Sequence, residues 1–262
     1  MGLSDKVNEK VAIVTGGGSG IGAASAKKLA DEGMHVCIMD KNLEGAEKIK
    51  NEITEKGGKA CVYQVDIREE EEIKEGIAKV MDKWGRLDVL FSNAGINGTL
   101  SSIEEFDTSD WDTTVETNLR STFLFVKYVI PHMKNHGGSI IITSSINGNR
   151  RFSGFGMSAY STTKAGQIAF MKMAALELAR YKIRVNAICP GAIETNIDNT
   201  TNMSESVKEI EIPIEYPEGA QPLADGPGKA EQVADLVYFL ASDASSHVSG
   251  TEIYVDGTES LL

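Results

Sequence analysis

The sequence predicts a single α/β domain, a doubly wound parallel sheet of about seven strands flanked by helices. Three observations predict it. Apolar runs of strand length alternate with helical patterns along the whole chain, the arrangement that builds βαβ units. The apolar runs are mostly continuous rather than alternating, as expected where helices cover both faces of a sheet. The 262 residues show no break in composition and no internal repeat, which suits one domain of this kind.

The strands read Val11–Thr15, Val36–Met39, Ala60–Val65, Val89–Phe91, Ile140–Thr143, Arg184–Ile188 and Ile253–Val255. The helical patterns between them are Ile21–Glu32, Leu43–Lys56, Glu69–Lys83, Trp111–Lys134, Ala159–Tyr181 and Ala230–Ser242. The acidic run Glu69–Glu72 opens its helix where negative charge meets the positive end of the dipole. One stretch, Thr195–Gly228, fits neither pattern. It holds Pro213, Pro217, Pro222 and Pro227, four of the six prolines, and a connection that long marks a functional segment.

Composition narrows the partners. Hydrophobic residues make up 41% and charged residues 24%, an ordinary globular balance. A chain this long buries enough surface to need no disulfide or metal staple. With 26 Lys+Arg against 38 Asp+Glu the net charge is −12, which argues against nucleic acid and anionic membranes. It leaves open a small anion held by N–H groups. No run approaches the roughly 18 apolar residues of a membrane span. The first ten residues are polar, and Lys6 stands where myristoylation needs Ser or Thr. Cys37, Cys61 and Cys189 each lie in an apolar stretch and read as reduced core residues. The expected compartment is the cytoplasm. His132 and His136 are one turn apart but lack the Glu of a zinc-binding helix, so no metal site is expected.

The chemistry-bearing residues begin after the first strand, at Thr15-Gly16-Gly17-Gly18-Ser19-Gly20-Ile21-Gly22. A glycine-rich turn there lets backbone approach a pyrophosphate at the N-terminus of the next helix. Asp40 ends the second strand, where a carboxylate takes the hydroxyls of an adenosine ribose and repels a 2′-phosphate. No basic residue stands at position 19 to offset it, although Lys41 follows directly. The charge argument selects NAD over NADP. Tyr160 and Lys164 lie one turn apart on one helix face. Tyrosine is a poor base at its ordinary pKa, but a nearby ammonium favours the phenolate, which exchanges a proton with an alcohol or carbonyl oxygen. Ser145 follows the strand Ile140–Thr143, placing its hydroxyl at the carboxyl edge where such sheets bind ligands.

The glycine spacing, with Asp66-Ile67, Asn93-Ala94-Gly95, Asn118, Ser144-Ser145, Tyr160-x-x-x-Lys164 and Pro190-Gly191 with Thr195, resembles the short-chain dehydrogenase/reductase family over nearly the whole chain. The resemblance implies a Rossmann-like fold and hydride transfer between NAD(H) and a small alcohol or ketone. It implies that Asp66 and Ile67 bracket the adenine, and that Asn93, Ala94 and Gly95 line the adenosine side. Ser92 replaces the first Asn that many members have. Ser145 is preferred to Ser144 because it precedes the short turn Ile146-Asn147-Gly148. Asn118 is expected to hold a water that connects Lys164 to solvent. Lys164 is also expected to reach the nicotinamide ribose, with Ile193 and Thr195 on the carboxamide. The family further implies a homotetramer built on the helices carrying Phe123, Phe125, Val126, Met171 and Met173, residues that read equally well as plain core, and a substrate lid at about 196–228. The same resemblance gives three rivals. Two are an epimerase or dehydratase of the extended branch and a non-catalytic NAD sensor. The third is an NADP-dependent 3-oxoacyl thioester reductase, against which Asp40 counts. The run from Pro190 to Thr195 is somewhat similar to sugar and polyol members. The stretch between Ser145 and Tyr160 is about two residues longer than in relatives and carries Arg150 and Arg151. Either guanidinium is a candidate ligand for an anionic substrate group, against a plain surface role.

Overall fold

A computed structural model describes residues 9–152, 154–195, 197–210, 212, 221–224 and 226–262. The first half runs β1 (Val11–Thr15), α1 (Gly20–Asp31), β2 (His35–Asp40), α2 (Leu43–Glu55), β3 (Lys59–Gln64), α3 (Glu70–Trp84), β4 (Val89–Ser92) and a short β5 (Gly98–Leu100). Then come α4 (Thr108–Val115), a π-helical turn at Glu116–Arg120, α5 (Ser121–Met133), β6 (Gly138–Thr143), α6 (Ser158–Leu178) and β7 (Ile183–Pro190). The chain finishes with β8 (Thr201–Met203), α7 (Val207–Ile210), α8 (Ala230–Ala241) and β9 (Glu252–Val255).

Seven strands form one parallel sheet in the order β3-β2-β1-β4-β6-β7-β9. All the predicted strands are in it. Its centre reads as continuous apolar sequence because it is covered twice: all five residues of β1 and all four of β4 are buried. Ile13 and Leu90 pack with Ile73, Ile77, Phe125 and Met171 on one face. Val14 and Phe91 pack with Leu29, Ile49, Ile53 and Val237 on the other. The chain winds outward from β1 to β3, then returns to place β4 on the other side of β1. The crevice above the carboxyl ends of β1 and β4 is therefore the switch point where this architecture binds ligands.

Local chemistry sets the helix ends. Asn42 caps α2 by accepting from the Gly45 amide. Glu70, Glu71 and Glu72 open α3, and Gly85, at φ +69°, closes it in the left-handed region.

Two features depart from the sequence reading. The pattern Trp111–Lys134 is not one α-helix: it starts at Thr108 and is interrupted by the π turn. Hydroxyls bonded back one turn surround that interruption, Thr117 to the Thr113 carbonyl at 2.7 Å and Thr122 to the Asn118 carbonyl at 2.8 Å. Such bonds compete with the regular ladder and accommodate a bulge. The long irregular segment is also partly pinned. Its β8 pairs in parallel with β5, and the Ser206 hydroxyl accepts from the Ser102 amide at 3.1 Å. Residues 196, 211, 213–220 and 225 of the expected lid lie outside the described residues.

Candidate active site

A cleft of about 990 Å³ opens at the switch point and runs from Asp40 and Asp66 at one end to Met157, Ile197 and Thr200 at the other. Its floor begins with the glycine loop. Gly16 and Gly20 have φ of +65° and +50°, which L side chains rarely adopt. A Cβ on Gly16 would lie 3.0 Å from the Ala94 Cα, and one on Gly22 would lie 2.1 Å from the Gly16 carbonyl oxygen. The loop is thus closed tightly onto the turn after β4. Thr15 ties the two together: its hydroxyl accepts from the Asn93 amide at 2.9 Å and the Ala94 amide at 3.0 Å. Thr143 donates to the Asn93 side-chain oxygen at 3.1 Å.

At the far end, the Asp40 carboxylate accepts from the Gly18 amide at 2.9 Å and the Asn42 amide at 2.8 Å. Lys41 turns away from it to Asp66, at 2.9 Å. Arg68 also clamps Asp66 through two contacts, at 3.1 and 2.7 Å. That guanidinium, ahead of Lys41, holds the Asp66 carboxyl well below the usual carboxylate range.

The other half gathers Ser145, Tyr160 and Lys164 beside the carboxyl end of β6. Residues 158–178 form a helix whose inner face is buried, and Tyr160 and Lys164 share that face at 7% and 3% exposure. Burial raises the Tyr160 phenol, and a hydrogen bond with Ser145 opposes that rise. Burial lowers the Lys164 ammonium to about 8. Its Nζ sits 5.5 Å from the Tyr160 ring centre. Ser144 spends its proton elsewhere, donating to the Lys164 carbonyl at 2.8 Å, whereas Ser145 accepts from the Asn147 amide at 3.1 Å and bonds Tyr160, which favours Ser145 as the serine of the site.

Most of the sequence-derived site residues line this one cleft: Gly16, Ser19, Gly20, Ile21, Asp40, Asp66, Ile67, Asn93, Ala94, Gly95, Ser145, Tyr160, Lys164, Pro190, Gly191, Ile193 and Thr195. Gly22 and Asn118 do not. Gly22 stands behind the loop, where only a hydrogen fits. Asn118 is fully buried in the π turn. Its carboxamide grips the Ile96 peptide from both sides, accepting from the N–H and donating to the carbonyl, each at 2.9 Å. Of the two arginines, Arg151 lines the cleft and pairs with Glu259. Arg150 stacks 3.5 Å over the Tyr254 ring and is not among the lining residues. Sequence reasoning missed Arg68 and Glu259. Arg68 lies two residues past Asp66, a spacing that offered a signal; Glu259 stands in no motif.

The described residues contain no cluster of three or more metal-ligating side chains and no helix long and apolar enough to cross a membrane.

Residues 10–206 match the family model described as short chain dehydrogenase. The chain is 37% identical over 256 residues to the cyclohexanol dehydrogenase of Acinetobacter sp. (strain SE19), covering 97% of this chain and 96% of that protein. It superposes with a TM-score of 0.92 on the crystal structure of a 3-ketoacyl-ACP reductase from Sinorhizobium meliloti 1021, at 41% identity, covering 96% and 99% of the two chains. A 3-ketoacyl-(acyl-carrier-protein) reductase from Brucella melitensis, crystallised with NADH, superposes at 0.84 with 30% identity, covering 97% and 99%. The chain belongs to the short-chain dehydrogenase family. It is an oxidoreductase that transfers a hydride between a nicotinamide cofactor and an alcohol/carbonyl pair.

Proposed function

We propose that this enzyme uses NAD(H) on a small secondary alcohol or ketone, with Ser145, Tyr160, Lys164 and Asn118 as its catalytic group. The carrying observation is a single cleft with Asp40 at its ribose end and Ser145, Tyr160 and Lys164 at its other half. The residues fit the cofactor: the glycine cradle would be filled by any Cβ, and the backbone-anchored Asp40 carboxylate keeps lone pairs for ribose hydroxyls. The same carboxylate opposes the 2′-phosphate of NADP, and Lys41, engaged with Asp66, does not offset it.

When bound, the nicotinamide would supply or accept the hydride, with Lys164 holding its ribose and Ile193 and Thr195 its carboxamide. Ser145 holds the substrate oxygen. Tyr160 takes the proton from the alcohol, or returns it to the carbonyl oxygen. A buried phenol resists ionisation, so the phenolate depends on the neighbouring Lys164 cation. Asn118 fixes Ile96 behind this group through its N–H and its carbonyl; its proposed further role is to hold a water that would connect Lys164 to solvent.

The segment 196–228 is proposed as the substrate lid, with Ile197 and Thr200 facing the cleft. Phe125, Val126 and Met171 belong to the core rather than to a subunit face, so a homotetramer is proposed from the apolar side chains that α5 and α6 leave exposed, Phe123, Met173 and Leu176. The cytoplasm is the proposed compartment, supported by three free, buried cysteines.

The test is a panel of cyclic alcohols, polyols, hydroxy acids and 3-hydroxyacyl thioesters, followed through NADH absorbance. Turnover of secondary alcohols with NAD supports the reading. Turnover confined to the thioesters with NADP replaces it with the 3-oxoacyl reductase reading, which the two 3-ketoacyl reductase neighbours favour.

A further inference from the structure

Resting on the active-site reading above, we infer that Glu259 is a positioning residue that sets the spacing between the nicotinamide loop after β7 and the substrate-side loop after Ser145. Glu259 lies in the final turn, Glu259–Leu261, far from every motif, yet it is buried at 6% exposure and lines the cleft.

Its carboxylate meets three segments at once. Oε2 accepts from the Ala192 amide at 2.8 Å, in the middle of the run Pro190–Thr195. The same oxygen accepts from the Gln221 side chain at 3.0 Å. Oε1 takes the guanidinium of Arg151, six residues beyond Ser145. Gln221 completes the grip by donating to the Ala192 carbonyl at 2.6 Å, so the Ala192 residue is held through both its N–H and its C=O. The approach is close enough to demand glycine next door: a Cβ on Gly191 would lie 2.5 Å from Oε2.

The backbone is built to aim this side chain. Thr258, immediately before it, adopts the left-handed region at φ +70°, a conformation that a β-branched residue takes only when its surroundings impose it. Asp256 imposes it, accepting from the Thr258 amide at 3.2 Å and the Ser260 amide at 3.0 Å. The substrate-side loop reaches the same C-terminal segment at two further points. Arg150 bonds Ser260 at 3.3 Å, and Asn149 bonds Tyr254 at 2.5 Å. One buried carboxylate therefore joins the two loops that face each other across the reacting atoms. Orientation at that spacing is where small displacements cost most rate.

The test compares wild type, Glu259→Gln, Arg151→Met and the double variant. Four quantities are read: melting temperature, NADH binding by fluorescence, kcat and KM for the best panel alcohol, and the primary deuterium isotope effect on kcat. Glu259→Gln keeps the shape and loses the charge. The expectation is a loss in kcat of about 10- to 100-fold with a larger isotope effect, since a misplaced nicotinamide slows the hydride step itself. Arg151→Met is expected to act in the same direction. The double variant is expected to be no worse than the worse single, because the two act through one link. If either soluble variant melts lower but keeps wild-type kcat, KM and isotope effect, Glu259 only holds the fold and the inference fails. If the wild type neither binds NADH nor oxidises any panel alcohol, the reading of the site itself falls, and the inference with it.

Discussion

Lys164 donates a 2.8 Å hydrogen bond to the carbonyl of Thr143, the last residue of β6. The bond anchors a buried ammonium on a central strand of the sheet rather than leaving it to swing on its own helix. The Nζ stays 5.5 Å from the Tyr160 ring centre, the placement that its proposed role in favouring the phenolate requires.

That geometry divides the labour between the two residues. Tyr160→Phe is expected to lower turnover by about 10²- to 10⁴-fold while NADH binding, read by fluorescence titration, stays near wild type. Lys164→Ala is expected to weaken both, since its proposed roles serve the tyrosine and the cofactor ribose alike. Equal loss of NADH affinity in the two variants would contradict the division.

Burial of Lys164 also leaves a mark on stability. Its ammonium is lowered from 10.5 to about 8, so the folded state binds fewer protons than the unfolded state between those values. The cost of the buried charge, about 3 kcal/mol, is fully present below pH 8 and is lost as pH rises toward 10.5. Stability of the wild type relative to Lys164→Met should therefore climb across that window. Denaturation midpoints at pH 7 and pH 10 check it; a flat difference would mean that the charge is not buried in solution.

Asp40 predicts cofactor choice. Wild type should favour NAD over NADP in kcat/KM, and Asp40→Ala should narrow that ratio by about tenfold or more by removing the repulsion of a 2′-phosphate. Because Lys41 is engaged by Asp66, Lys41→Ala alone should change the ratio little. A wild type that prefers NADP would refute the charge argument.

Leu176 and Met173 stand 76% and 67% exposed on α6, an arrangement suited to a subunit interface. Leu176→Glu should lower the mass seen by light scattering from a tetramer to a smaller species. An unchanged mass, or a monomeric wild type, would remove this face from the assembly.

Much of the molecule is legible in the sequence, because the relevant signals are local. Continuous runs such as Val11–Thr15 announce a strand covered on both faces. Gly16, Gly20 and Gly22 announce a turn that tolerates no side chain, and Tyr160 and Lys164 one turn apart announce a shared helix face. Asp40, at a strand end after a glycine loop, carries its own charge argument. Tertiary structure alone decided the rest, because those facts depend on groups far apart in the chain. The π turn at Asn118 is braced from a distant helix, where the Gln167 side chain donates to the Asn118 carbonyl at 2.8 Å. Arg150 and Arg151 are indistinguishable as letters, yet one stacks on Tyr254 and the other enters the cleft beside Glu259. Glu259 itself reads as a solvated acid near the end of an acidic chain. Only folding brings it 2.8 Å from the Ala192 amide, 67 positions earlier, because that contact depends on where β9 aligns beside β7 rather than on any local preference.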